Sequence, residues 1–315
     1  MTAPSADVIW MDGELVPWDE ARVHVLTHAL NHGTGVFEGI RSYPTASGPA
    51  LFRLREHVER LFRSARVLAM DLPATPEELA EGVRTVVRAN GFDACYLRML
   101  AYRGFGEMGI NCDLSPVSIW IAAWEQGPSF SPSRYIEGVR ATISSWRRND
   151  PNVIAPTAKI AGAYVNSSLA RAEAVRAGFD DAIMLGANGN VAEATIQNVF
   201  VVADGVVSTP PLWDGPLPGI TRATVLELAR DRGIVTQERS LTRADLYAAD
   251  EIFLTGTGAE IAALRELDGR RLAAPGALTA TLKHAYADVV RGRDARYAHW
   301  LDPVEAESRA QTLVA

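Results

Sequence analysis

The chain has 315 residues, 48% hydrophobic and 22% charged, with a formal net charge of −7. That length holds two domains or one large one with a real core, in an ordinary globular composition. The acidic balance excludes a surface built for nucleic-acid backbones, and neither a membrane span nor a signal peptide is expected.

Two cysteines, Cys95 and Cys112, fit no zinc spacing. As buried thiols they suit a cytoplasmic protein. Residues 8–16 predict a hairpin, with Asp12-Gly13 at the positive-φ turn positions. Residues 27–43, THALNHGTGVFEGIRSY, carry Gly33, Gly35 and Gly39 among aromatic and charged residues. Glycines at that density mean close backbone approach to a strand or a ligand, and their spacing is not that of a phosphate loop.

An apolar stripe of Leu54, Val58, Leu61, Phe62 and Ala65 predicts a helix over 54–69. Thr75-Pro-Glu-Glu opens a second helix with a capping box, closed at Asn90-Gly91. Residues 95–102 predict a strand with Tyr96, Arg98, Leu100 and Tyr102 on one face. Arg98 is then either an exposed charge on an edge or a pocket arginine that meets a carboxylate. Val117–Trp124 is an apolar strand, and residues 125–133 form a linker rich in glycine, proline and serine.

Beyond it come a strand over 139–145, a helix over 165–177, hairpins turning at Asn188-Gly189 and Asp204-Gly205, a helix over 223–231 and a strand over 251–254. Hairpins and helices mix without regular alternation, which places the fold in the α+β class, in two parts, rather than among doubly wound parallel sheets.

Of the 31 basic residues only Lys159 and Lys283 are lysine. A guanidinium cannot lose its proton and attack a carbonyl, whereas a primary amine with a lowered pKa can. Lys159 sits in Ala-Pro-Thr-Ala-Lys-Ile-Ala-Gly-Ala-Tyr with no acid nearby. It reads as a reactive amine, against the blander reading of a surface lysine with a snorkelling stem. Lys283, on a C-terminal helix, reads as an ordinary exposed lysine.

Leu217-Pro-Gly-Ile-Thr-Arg precedes an amphipathic helix, so the N–H groups of Ile220 and Thr221 make an anion site, unless Thr221 simply caps the helix. Thr255-Gly-Thr-Gly adds a second cluster of donors. Glu193, among small apolar residues, must be paired, because burying a lone carboxylate is costly. A reactive lysine, a phosphate cradle and such an acid together suggest pyridoxal phosphate.

These stretches also occur in one order: Gly33-Thr-Gly-Val-Phe-Glu-Gly-Ile-Arg, Arg55-Glu-His-Val-Glu-Arg-Leu, Tyr96-Leu-Arg, Gly106-Glu-Met-Gly-Ile-Asn, Ala158-Lys159, Leu217-Pro-Gly-Ile-Thr-Arg and Gly256-Thr257. From Trp10 to Arg271 the chain resembles the branched-chain amino acid aminotransferases of the fold-type IV pyridoxal-phosphate enzymes. The resemblance implies a two-domain, D-amino acid aminotransferase-like fold. A small N-terminal domain spans 1–126, a linker or lid 127–136, and a large domain 137–315 carries the lysine.

By the same resemblance Lys159 links to the aldehyde of pyridoxal 5'-phosphate and shuttles the substrate α-proton, Tyr164 bonds the phenolic oxygen, and Glu193 meets the ring nitrogen. Arg60, Leu217, Gly219, Ile220, Thr221, Gly256 and Thr257 surround the phosphate. Tyr96 and the turn Thr257-Gly258 take the α-carboxylate, and Arg98, with His32 beside it, the side-chain carboxylate of glutamate. Phe37, Gly39, Met108 and Ile110 line the apolar pocket, in part across the interface of a homodimer or a trimer of dimers.

The implied reaction is ping-pong transfer of the amino group of an aliphatic L-amino acid to 2-oxoglutarate. The alternatives are another amino acid, a D-amino acid, an (R)-amine, or aminodeoxychorismate cleavage by the same fold. His32 stands where the family usually has tyrosine, Gln126 and Ser129 where aromatic residues cover the pocket, and Ala192 and Ala194 flank the acid in place of Ser or Thr and Gly. A more polar lid would admit a less apolar side chain.

Overall fold

The computed structural model describes residues 4–107, 109–127 and 129–305. Its first sheet has seven strands in the order Leu301–Pro303, Gly48–Phe52, Gly35–Thr45, Tyr96–Arg103, Val117–Trp124, Val8–Met11 and Glu14–Pro17. Every pairing in it is antiparallel. The Asp12-Gly13 hairpin forms as expected, with φ of 48° and 103°.

The glycine-rich stretch proves to be an eleven-residue strand, Gly35–Thr45, buried from Gly35 to Tyr43. Its mixed composition hides the two-residue period because the sheet is covered on both faces there. Helices Leu54–Val67 and Pro76–Ala89 pack on this sheet through Leu54, Val58, Leu61, Leu79 and Val83, against Ile40, Leu97 and Ile121. Both halves of the capping box at Thr75 and Glu78 are made.

The second sheet has nine strands and is mixed. The pairs Glu260–Leu267 with Val139–Ile143 and Val139–Ile143 with Asp181–Leu185 are parallel, and hairpins build most of the rest. One face packs on helices Ile220–Arg230 and Ala277–Val290 around Phe200 and Phe253, whose rings stack at 4.9 Å. The other face buries Val139, Ile183, Val199 and Leu254. The expected α+β class is the one observed.

A buried ion pair ties the two sheets to the segment joining them. Arg41, on the strand Gly35–Thr45, meets Glu260 at 3.2 Å and donates to the Gln126 carbonyl at 2.7 Å. Glu260 in turn accepts from the Tyr135 hydroxyl at 2.7 Å.

Candidate active site

Where the sheets meet lies a cavity of about 370 Å³. Phe37 and Gly39 reach it from one strand and Tyr96 and Arg98 from the next, a placement fixed by the register Gly39 to Arg98. Gly256, Thr257 and Gly258 come from the second sheet, and Lys159 and Tyr164 from the segment between. Gly39 must lack a side chain, because a Cβ there would overlap the Tyr96 hydroxyl.

The chain around Lys159 runs beside the strand Gly35–Thr45. The Lys159 carbonyl accepts from the Phe37 N–H at 3.0 Å, and its own N–H donates to Ser64 Oγ at 3.0 Å. Gly162 N–H donates to the Gly33 carbonyl at 3.1 Å. Gly33, at φ 70°, has no room for a side chain, since a Cβ would stand 2.8 Å from Gly162 Cα. That contact is one the glycine density anticipates.

Lys159 Nζ donates to the Tyr164 hydroxyl at 2.7 Å and stands 4.7 Å from the centre of the Phe37 ring. Burial, and then the charge of Arg60, push the amine down to about 8. The enclosed amine faces the cavity rather than bulk water, so the snorkelling reading is overturned. Burial likewise pushes the Tyr164 phenol up, so the hydroxyl keeps its proton. Lys283 is not an ordinary exposed lysine either. It is half-buried, donates to the Tyr135 carbonyl at 2.7 Å and lies 3.6 Å from that ring's centre.

Glu193 finds its partner in Arg148, at 2.7 Å. Its other oxygen accepts from the Leu217 N–H at 3.1 Å and the Asn198 amide at 3.3 Å. Arg148 is braced by Ser167 Oγ at 3.0 Å. Burial pushes the Glu193 carboxyl up, while Arg148 and the Leu217 N–H pull the other way. Gly219 is needed here, because a Cβ would overlap the Asn198 side-chain oxygen.

Helix Ile220–Arg230 starts three residues before the predicted 223, with Gly219 as its N-cap and no side-chain cap. Thr221 therefore sits buried in the first turn instead of capping it. Arg60 is buried too, and lies beside this helix start. Its Nε and Nη2 donate to the two oxygens of Glu38 at 2.7 and 2.8 Å, and Nη1 to the Pro218 carbonyl at 3.0 Å.

Arg98 is the pocket arginine, not an edge charge. Its guanidinium lies 4.6 Å from the Phe37 ring centre, and its Nε is buried without a partner. His32 and Ile110 do not reach this cavity. Ile110 is 86% exposed and His32, also exposed, stacks on His28 at 4.3 Å. Met108 lies outside the described residues.

Sequence reasoning missed Glu38, His57, Ser64 and Arg148. Only Glu38 carried a signal, a charge between Phe37 and Gly39 that the fold had to neutralise. Gln126 and Ser129 line the cavity, but Gln126 Oε1 accepts from Trp124 Nε1 at 2.8 Å, and the Ser129 N–H donates to the Gly258 carbonyl at 2.7 Å.

Residues 35–267 match the family model for class IV amino-transferases. The chain is 43% identical over 295 residues to the branched-chain-amino-acid aminotransferase of Pseudomonas aeruginosa, covering 93% of this chain and 96% of that one. It superposes with a TM-score of 0.92 on the branched-chain aminotransferase of Thermoproteus uzoniensis with norvaline, at 45% identity, over 96% of this chain and all (100%) of that one. The T.th. branched-chain amino acid aminotransferase complexed with N-(5'-phosphopyridoxyl)-L-glutamate is similar at 44% identity and TM-score 0.92, with the same 96% and 100% coverage. The fold-type IV architecture implied by the motifs is thus the one found.

Proposed function

The chain belongs to the class IV aminotransferases, and from that premise we propose that it uses pyridoxal 5'-phosphate to move the amino group of an aliphatic, branched-chain L-amino acid to 2-oxoglutarate. One observation carries this reading. The cavity gathers a lowered-pKa lysine, and behind it stand an Arg148-paired carboxylate and a helix start flanked by Arg60. Relatives named for this activity, one holding a phosphopyridoxyl-glutamate, support it.

The residues present fit the cofactor. The uncapped N–H groups at Ile220 and Thr221 favour an anion, as helix starts do; Arg60, Leu217, Gly219, Gly256 and Thr257 would complete the phosphate site. Glu193 would meet the ring nitrogen and Tyr164 the phenolic oxygen. Bound there, the cofactor supplies an aldehyde and a ring that accepts the electron pair left when the α-proton departs.

The rest belongs to the protein. Lys159, partly neutral near pH 8, would serve as a nucleophile and then as the base for the α-proton. Tyr164 holds its amine in place. Arg148 keeps Glu193 in position and offsets its charge. The Tyr96 hydroxyl and the turn Thr257-Gly258 would take the α-carboxylate, and Arg98 a side-chain carboxylate. Phe37 and Gly39 leave an apolar wall for a branched side chain. Because the amide oxygen of Gln126 is held by Trp124, the linker adds less polarity to the cavity than its sequence suggests, which favours the aliphatic substrate.

The purified protein should be yellow, and borohydride should bleach it and fix the cofactor on Lys159. A colourless protein, or label found on Lys283 instead, overturns the reading. Leucine, isoleucine and valine should then outpace an aromatic amino acid, a D-amino acid and a simple amine.

We further read 1–126 and 137–315 as two domains joined by the lid 127–136, with the strand Leu301–Pro303 crossing back to the first sheet. Val25, Leu30, Phe105 and Ile110 are 72%, 66%, 53% and 86% exposed, an apolar face of the kind that marks an interface. A homodimer, alone or in a trimer of dimers, would cover it and carry Ile110 and His32 to the partner's cavity. Sedimentation should give a mass of two chains or a multiple, and a monomer at assay concentration would exclude it. No helix among the described residues is long and apolar enough to cross a membrane; a cytoplasmic location is part of the same proposal, and both cysteines, free in the fold, suit it.

A further inference from the structure

Glu38 stands in the middle of the buried strand Gly35–Thr45, and its side chain has no exposure. A carboxylate survives there only if it is paired and hydrogen-bonded. It is paired twice from one helix turn. Arg60 grips both oxygens, and His57 Nδ1 lies 2.7 Å from Oε2.

Against the burial that would raise it, these two neighbours hold the Glu38 carboxyl down to about 2. Burial pushes His57 down, so the ring is neutral and its Nδ1 proton is donated to the carboxylate. Two parallel bonds fix a guanidinium plane as one bond cannot, and the Pro218 carbonyl fixes the third edge. Of the five N–H donors of an arginine, three are therefore committed, and Arg60 lines the cavity.

We propose that Glu38, braced by His57, is a positioning residue that aims Arg60 at the cofactor's phosphate. This rests on the cofactor reading above and adds residues outside the cavity to it. A purely structural alternative is that the pair ties the helix Leu54–Val67 to the sheet. The two differ in what Glu38→Gln loses. An amide offers one acceptor and one donor, so the donor faces a guanidinium N–H and the arginine is free to turn. If the pair aims Arg60, the loss falls on the phosphate; if it only ties helix to sheet, it falls on every ligand alike.

The test is binding to the apo-protein, followed by absorbance, of pyridoxal 5'-phosphate and of pyridoxal, which lacks the phosphate. Glu38→Gln should weaken the phosphorylated ligand by about ten- to a hundredfold, the range seen when a partner orienting a metal ligand is removed, and leave pyridoxal nearly unchanged. His57→Gln, which can still donate to the carboxylate, should stay close to wild type.

Wild-type protein with no preference for the phosphorylated ligand would overturn the cofactor reading itself. A wild-type preference that survives in Glu38→Gln, or equal loss of both ligands, overturns this inference alone. Should Glu38→Gln not fold, His57→Leu carries the same comparison. A loss confined to the phosphorylated ligand supports the proposal, and an equal loss or none overturns it.

Discussion

Lys159→Ala should lose turnover by at least about 10²–10⁴-fold, the range for removing a positioned proton shuttle, while phosphate binding survives. The other lysine cannot substitute, because Lys283 is held on Tyr135 away from the cavity. The groups proposed for the phosphate are held independently of the lysine. Arg60 is fixed by Glu38 and Pro218, and the N–H groups of Ile220 and Thr221 by the helix they begin. Lys159→Arg sharpens the point. It keeps a cation near Tyr164 and Phe37 but offers no nucleophile at any working pH, so it should be as inactive as alanine. Steady-state rates with leucine and 2-oxoglutarate decide the matter. Either variant within tenfold of wild type would remove Lys159 from its role.

Several features read from local sequence chemistry appear where expected. The lysine could be picked out because 29 of 31 basic residues are arginine, which leaves a primary amine conspicuous. Gly33 was legible as a close approach from the density of glycines around it, though not its partner Gly162, and the helix opening at Thr75 as a capping box because that motif depends on neighbours in the chain. Arg148, Glu38 and His57 were not. What makes Arg148 functional is its 2.7 Å contact with Glu193, and nothing in Ser-Trp-Arg-Arg-Asn announces it. Arg60 enters only through the family resemblance, because the periodicity of a helix says which face is apolar but not what a buried arginine on that face meets.

The strand Gly35–Thr45 stayed hidden for a related reason. Both its faces are covered, one by helices and the other by the cavity and the lysine segment, so polar and apolar residues do not alternate. Its glycines serve different neighbours: Gly39 makes room for Tyr96, while Gly35 lies against Tyr102 and Ala161. A single sequence shows that the backbone is approached, without showing by what.

The second large effect belongs to Arg98→Met. The wild-type guanidinium lies against the rings of Phe37 and Tyr96, with Nε buried and unpartnered. Among the described residues no carboxylate pairs with it. A sequestered charge without its counter-ion is unfavourable, and evolution retains such a group where a ligand completes it. Methionine keeps the stem and the ring contacts and removes the charge. The free protein should then gain on the order of 1 kcal/mol in stability, as happens when an active site is relieved of a strained group, read as a higher Tm of the apo-protein.

The same change should raise KM for glutamate and 2-oxoglutarate by about 30-fold or more, since truncating one partner of a buried charge pair costs about 2–5 kcal/mol. KM for leucine, whose side chain has no charge to place there, should move by far less. Stability rises while glutamate binding alone weakens only if Arg98 awaits a substrate carboxylate. If Arg98→Met lowered Tm and weakened leucine and glutamate alike, the guanidinium would be a packing element of the Phe37–Tyr96 wall, and the choice of amino acceptor would have to be made elsewhere in the cavity.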